Sequence, residues 1–249
     1  MKKKNRLNIC LLILVGLIFV FISGCKKDGS GQEPDTVTDV DGNVYHTVTI
    51  GAQVWMAENL KVTHYNNGDV IGNGASSTSR ETVRKCQWAY DNDESNVEIY
   101  GRLYTWHAVT DSRCICPAGW HMPTVEEMNT LREYLITNGY NYDGTTSGNK
   151  CAKALASESN WDLIGNEGTP GNTDCPEKRN ITGFNGLPGG GKDVADLFSG
   201  KGHSAVWWSS SQYNSDFPWT MCMCSSLPTL YIGPQLPKNF GYSVRCIKD

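Results

Sequence analysis

The sequence predicts an α+β fold of short antiparallel strands, two helices and long loops, braced by disulfides. Three observations carry that expectation. Short runs rich in β-branched and aromatic residues are bounded by Gly, Asn and Pro, one segment has the apolar spacing and cap of an amphipathic helix, and eight cysteines follow an export signal. Aromatic residues make up 10% of the 249-residue chain and all eight Trp come after residue 50, which suits a single well-filled core and not a disordered chain.

The first 24 residues read as a secretory signal of lipoprotein type. A basic start (Lys2, Lys3, Lys4, Arg6) leads into an apolar run from Ile9 to Ile22 that is 14 residues long, short of the about 20 that a membrane-spanning helix needs. Ile22-Ser23-Gly24-Cys25 resembles a bacterial lipobox, so Cys25 is the expected lipidation site and mature N-terminus. Residues 25–38 then hold the anchor and a polar, flexible tether, and the domain runs over 39–249. The expected membrane contact is a lipid anchor in the bacterial cell envelope, in the outer membrane.

Charge narrows the function classes. Lys and Arg number 22 against 26 Asp and Glu, and four of the basic residues lie in the signal with no acid, leaving 18 against 26 and a net charge of −8 for the remainder. An acidic domain without a basic patch argues against nucleic-acid binding.

The elements follow in order. Asp41-Gly42-Asn43 marks a turn, Val44–Ile50 a strand, and Gly51-Ala52-Gln53 the turn of a hairpin into Val54-Trp55-Met56. Residues 66–98 are polar and rich in Gly, Asn and Ser and read as a long loop. The clearest helix begins at Thr124, which has capping-box spacing to Glu127. Val125, Met128, Leu131 and Leu135 line one face, and Gly139 is the C-terminal stop. A shorter helix is predicted over 150–157, and strands near Ala205–Ser209, Trp219–Cys222, Thr229–Ile232 and Tyr242–Ile247.

Eight cysteines belong to the domain: Cys86, Cys114, Cys116, Cys151, Cys175, Cys222, Cys224 and Cys246. An even number in an exported chain favours disulfides, and spacing alone does not choose the partners. Cys114/Cys116 and Cys222/Cys224 are spaced more closely than zinc ligands usually are.

Seven phrases, in order, carry a family resemblance: Asp41–Tyr45 (DGNVY), Ile50–Leu60 (IGAQVWMAENL), Tyr100–Trp106 (YGRLYTW), Cys116–Thr124 (CPAGWHMPT), Gly183–Gly190 (GFNGLPGG), Trp207–Ser211 (WWSSS) and Gly241–Asp249 (GYSVRCIKD). Together they resemble the Fibrobacter succinogenes major paralogous domain of exported, often lipid-anchored bacterial proteins. That family is similar in outline to the C-type-lectin-like fold and to the sulfatase-modifying enzymes built on it. The resemblance implies a disulfide between Cys116 and Cys246 and leaves the other pairings open. It implies no established reaction. The formylglycine-generating relatives bind copper through two late cysteines, and Cys222 and Cys224 lie in the corresponding region at closer spacing. The calcium-dependent sugar motifs of lectins do not occur in the domain.

Other chemistry is weighed and set aside. Gly186–Lys192 has P-loop spacing, but Asp193 stands where Ser or Thr should bind Mg²⁺. Asp91–Asn96 begins like a calcium loop, yet the sixth position is Asn96 and the twelfth Arg102. No Gly-x-Ser-x-Gly elbow is found and the five histidines are scattered. No cofactor and no resident metal are expected. Trp55, Trp106, Trp120 and Trp207 are read as core, each burying about 200 Å². The leading expectation is a non-catalytic, lipid-anchored envelope module that binds a glycan or an envelope protein, with Trp208, Tyr213 and Trp219 as contact residues in or beside the loop-like stretch 209–220. A formylglycine-generating-like thiol and copper oxidase, and a purely structural envelope component, are the alternatives.

Overall fold

The computed structural model describes residues 35–74, 84–234 and 236–249. The expected signal segment, Cys25 and the expected tether before Asp35 lie outside those residues. No helix among the described residues is long and apolar enough to cross a membrane. The end of the expected tether is not free: Thr36–Thr38 form strand β1, paired antiparallel with β2 (Val44–Ile50) in the register Thr36↔His46. The β-propensity of Thr-Val-Thr outweighs the polarity that marked it as linker.

Between these strands Asp39 organises the turn. Its carboxylate accepts from the amides of Asp41 and Asn43 and, at 2.6 Å, from the buried Tyr45 hydroxyl. Strand β2 pairs with β3 (Gln53–Met56) as the predicted hairpin, Ile50 opposite Gln53.

Residues 66–98 are not a plain loop. Gly72–Asn73 (β4) and Cys86–Trp88 (β5) pair in parallel, and Ser95–Tyr100 form helix α1. Leu103–Tyr104 (β6) then adds antiparallel to β5. A four-residue helix α2 (Trp106–Val109) follows, capped by the Thr105 hydroxyl, which accepts from the Ala108 amide. Elements of two to six residues are too short to leave a hydrophobic period, so composition hid them.

Helix α3 (Val125–Thr137) has the expected reciprocal capping box between Thr124 and Glu127 and buries Val125, Met128, Leu131 and Leu135. The second predicted helix shrinks to α4 (Ala152–Leu155), because Ala156 is extended and bridges to Gly186. Gly189–Lys192 (β8) and Phe198–Lys201 (β9) make a hairpin. Ser204–Gln212 (β10), Pro218–Cys224 (β11) and Tyr231–Pro234 (β12) form an antiparallel sheet in chain order. The last predicted strand is mostly irregular: Tyr242 and Ser243 make single bridges and only Ile247–Lys248 is strand. Writing Trp120–His121 as β7 and Ile247–Lys248 as β13, the main sheet runs β1-β2-β3-β13-β7.

Two apolar clusters share the strands between them. Trp55 and Trp207 face the cluster that receives α3, whereas Met56 and Trp208, one residue later in each strand, face the other. A strand buried on both faces reads as a continuous apolar run, as Val206-Trp207-Trp208 does. Where the clusters meet, the fully buried Arg245 lies over the Phe184 ring at 4.2 Å. It donates to Asn59 Oδ1 at 3.0 Å, to the Asn185 carbonyl at 2.8 Å and to the Phe184 carbonyl. Burial pushes its pKa down, and these acceptors and ring faces hold the charge in place of a carboxylate. Asn59 also accepts from Trp207 Nε1 at 2.8 Å and donates to the Tyr100 carbonyl at 2.8 Å. Gly101 is required beside it, since a Cβ there would stand 2.6 Å from that of Asn59 at a φ of +71°.

Cys116 and Cys246 are joined by a disulfide across a sequence separation of 130, tying β7's approach to β13. Cys114, Cys151, Cys175, Cys222 and Cys224 carry free thiols, so the bracing is lighter than eight cysteines suggested.

Candidate functional site

A cleft of about 450 Å³ lies between the segment 109–116 and the β7–α3 connection. Its apolar floor is Val109, Ile115, Met122 and the Cys116 end of the disulfide. Trp120 forms a wall, and Thr110, Ser112, Thr124 and Ser210 complete the lining, the hydroxyls of Thr110, Thr124 and Ser210 each also bonded within the fold. An apolar floor with a few convergent polar groups is the usual form of a small-ligand site.

Local structure fixes each wall. Asp111 takes a fork of hydrogen bonds from Arg113, at 2.9 Å from both Nε and Nη2, and Lys85 approaches it at 2.6 Å. The hydrogen bond with Arg113 holds the Asp111 carboxyl well below the usual range, against burial that would raise it, with Lys85 adding to the effect. The Arg113 guanidinium stacks on Tyr65 at 3.9 Å, and Asn66 donates to the Cys116 carbonyl at 2.7 Å. On the far wall, Ser210 of β10 donates its amide to the Pro123 carbonyl at 2.8 Å, pinning the strand to the entry of α3.

His121 sits at the rim between two carboxylates, 2.6 Å from Asp249 Oδ1 through Nδ1 and 2.9 Å from Glu127 Oε1 through Nε2. With both ring nitrogens facing carboxylate acceptors, the pair of hydrogen bonds favours the charged form of the ring. Burial pushes its pKa down, but the hydrogen bonds to Asp249 and Glu127 outweigh this and raise it. Glu127 therefore serves both the helix cap and the cleft.

The expected contact residues separate. Trp208 is a correction: it is fully buried, donates its Nε1–H to the Tyr104 carbonyl at 2.6 Å and packs edge-on against Tyr242. It has no face to give a ligand, because it lies on the inner side of a strand whose other face is also covered. Tyr213 and Trp219 do come together, edge to face at 5.4 Å, at the tip of the β10–β11 hairpin, with Tyr213 57% exposed. Trp120, read as core, is only half-buried and lines the cleft. A signal for it exists in the sequence: Gly119-Trp120-His121 follows a Cys-Pro turn and precedes a helix cap, a position where a side chain is edge and not interior.

Other singled-out residues have plain places. Lys192 of the P-loop-like segment ends a strand, with its buried ammonium 4.5 Å from the Trp88 ring and paired to Asp196. Gly191 there is dictated by Tyr242, whose ring carbon would stand 2.2 Å from a Cβ. In the acidic stretch, Asp93 accepts from the Ser95 amide. Among the described residues no three of His, Cys, Asp and Glu come together as a metal site. Cys222 and Cys224, two positions apart on β11, project to the same face.

A match to the Fibrobacter succinogenes major domain spans residues 48–248. The chain belongs to that family. No curated protein and no solved structure matches it.

Proposed function

We propose that this is a non-catalytic module of C-type-lectin-like fold that is exported, lipid-anchored at Cys25 in the outer membrane, and binds a glycan in the cleft walled by Trp120. The carrying observation is the cleft: a half-buried indole over an apolar floor, with hydroxyl-bearing residues and the His121 ring at its edge. The apolar C–H face of a sugar ring stacks on an indole while its hydroxyls meet the rim. The Tyr213–Trp219 pair at the hairpin tip adds a second, more exposed aromatic surface.

The test is a glycan array probed with the detergent-solubilised protein and its Trp120→Ala and Tyr213→Ala/Trp219→Ala variants. Binding that falls at least about 10-fold in Trp120→Ala supports the cleft, as loss of a stacking contact worth about 1.4 kcal/mol or more requires. Binding lost only in the hairpin variant would move the site to the tip. Absence of glycan binding across the array would refute the reading.

A second reading, copper-dependent thiol oxidation of the formylglycine-generating kind, is favoured by one observation, the shared face of Cys222 and Cys224. Thiolates suit Cu(I). A copper(I) titration in which the reduced protein competes no better than its Cys222→Ser/Cys224→Ser variant would remove it.

A further inference from the structure

Another concavity, of about 400 Å³, lies in the connection between α4 and β8 and shares no lining residue with the cleft beside Trp120. Its apolar side is Leu163, 83% exposed, with Pro170, Pro176 and the buried Trp161. Two charged side chains, Glu158 and Arg179, line it as well. Local structure fixes both sides. Trp161 Nε1 donates to the Ser157 hydroxyl at 3.1 Å, and that hydroxyl donates to the Ser159 carbonyl at 2.8 Å. Opposite, the Ile164 amide donates to the Gly171 carbonyl and the Gly171 amide to the Ser225 carbonyl, each at 2.8 Å. Gly171 admits no side chain, since a Cβ there would stand 2.4 Å from the Asp162 carbonyl oxygen.

The charge balance on the inner wall is incomplete. Lys153, whose side chain is fully buried, and Arg179, which is half-buried, both donate to the Asn172 carbonyl, at 2.9 Å and 2.6 Å. One carboxylate stands near the two, and Lys153 takes it. Asp174 accepts from the Lys153 ammonium through one oxygen and from the Gly168 amide, at 2.7 Å, through the other. Arg179 is left with the carbonyls of Asn172 and Ser157, the second at 3.1 Å, and makes no ion pair among the described residues. Burial pushes its pKa down, with Asp174 and Glu158 opposing that only in part. A guanidinium carries five N–H donors and these two bonds use two of them, so a carboxylate fork remains open to it. Glu158 is exposed in the same cleft and repels a purely anionic ligand, whereas a ligand carrying both charges meets the opposite sign at each end.

We propose that this cleft binds a free α-amino acid with an apolar side chain, its carboxylate on Arg179, its ammonium toward Glu158 and its side chain against Leu163, Pro170 and Pro176. The proposal does not rest on the glycan reading of the other cleft. A peptide fits less well, because each added residue carries its two charged ends about 3.3–3.6 Å further apart, while Glu158 and Arg179 line one small cavity. A sugar acid offers Arg179 a carboxylate but gives Glu158 no cation. Apolar lining with a few placed charges is the usual make-up of a small-molecule site.

The test is isothermal titration calorimetry of the full chain with leucine, isoleucine, valine, methionine and phenylalanine. The best binder is then compared with its N-acetyl derivative, which lacks the ammonium, and its amide, which lacks the carboxylate. At least one amino acid is expected to bind with a Kd of about 1 mM or tighter, and each blocked form about 10-fold more weakly. No binding by any of them, or blocked forms that bind as well as the parent, overturns the proposal. Glu158→Gln, at an exposed position, should erase the preference over the N-acetyl form and keep the preference over the amide. Arg179→Gln should do the reverse. A preference over the N-acetyl form that survives in Glu158→Gln also overturns the assignment. If Arg179→Gln disturbs folding through loss of its two carbonyl bonds, the blocked ligands on the unmodified chain still decide. Trp120→Ala should change none of these affinities, and amino-acid binding lost in that variant would belong to the other cleft and refute this one.

Discussion

Replacing Asn59 by Ala tests whether the junction of the two clusters is held by one amide. The side chain meets four buried or half-buried groups: it accepts from Trp207 Nε1 and Arg245 Nε and donates to the Tyr100 carbonyl and to the Ser243 hydroxyl, the last at 3.3 Å. Ala leaves the indole N–H, one edge of a buried guanidinium and a carbonyl without partners. An orphaned neutral group costs about 1–3 kcal/mol and a charged one more. Arg245 keeps its two carbonyl partners, so we take about 4–6 kcal/mol for the whole substitution, a large share of the about 5–15 kcal/mol that holds a domain together. At about 2–4 °C per kcal/mol for a domain of this size, thermal unfolding followed by circular dichroism should fall by about 10–20 °C. Trp207→Phe removes one orphaned donor, so the double variant Asn59→Ala/Trp207→Phe should lose about 1–2 kcal/mol less than the two single losses added. A melting change under about 5 °C for Asn59→Ala, or additive losses in the cycle, would refute the reasoning.

Two further expectations concern the corrected and the newly found residues. Trp208→Ala should cost about 3–5 kcal/mol in urea unfolding while Tyr213→Ala stays within about 0.5, because only the first side chain is buried. Equal effects would place Trp208 outside the core. His121 should titrate above 6.5 by ring-proton NMR, since Asp249 and Glu127 favour its charged form over the opposing burial. A folded value raised above the unfolded one means its contribution to stability is complete below about pH 6.5 and is lost as pH rises through the folded value. His121→Gln should remove that slope from the pH dependence of unfolding, and a midpoint below 6.5 would contradict the two hydrogen bonds.

What was legible in the sequence follows from how far each signal extends. Helix α3 spans several turns, so its apolar face repeats and its Thr124–Glu127 box is local; both were readable, as was the β2–β3 hairpin with its turn at Gly51. The segment 66–98 was not, because β4, β5 and α1 gain stability from long-range partners and not from their own periodicity. Trp207 and Trp208 illustrate the limit at single residues. Alternation puts one on each face of β10, and the expectation of Trp208 as a contact residue fails because both faces are covered. The cleft was invisible for a related reason: its walls come from residues 109–116, 120–124 and 210, which only the tertiary fold brings together.

The family phrases do not all serve one purpose. Ala57-Glu58-Asn59-Leu60, Tyr100-Gly101-Arg102, Gly183-Phe184-Asn185, Trp207 and Val244-Arg245 converge on the buried Asn59–Arg245 junction, where each supplies a donor, an acceptor, a ring face or the room of a glycine. They are accounted for by folding alone. Cys116–Thr124 differs: the same few residues close a disulfide, wall the cleft with Trp120, set His121 at its rim and cap α3. A fold needs the cysteine and the cap, but it does not need a half-buried indole beside a carboxylate-bound imidazole over an apolar floor. That surplus over structural need is why the proposed glycan site is placed on this phrase and not on the buried junction.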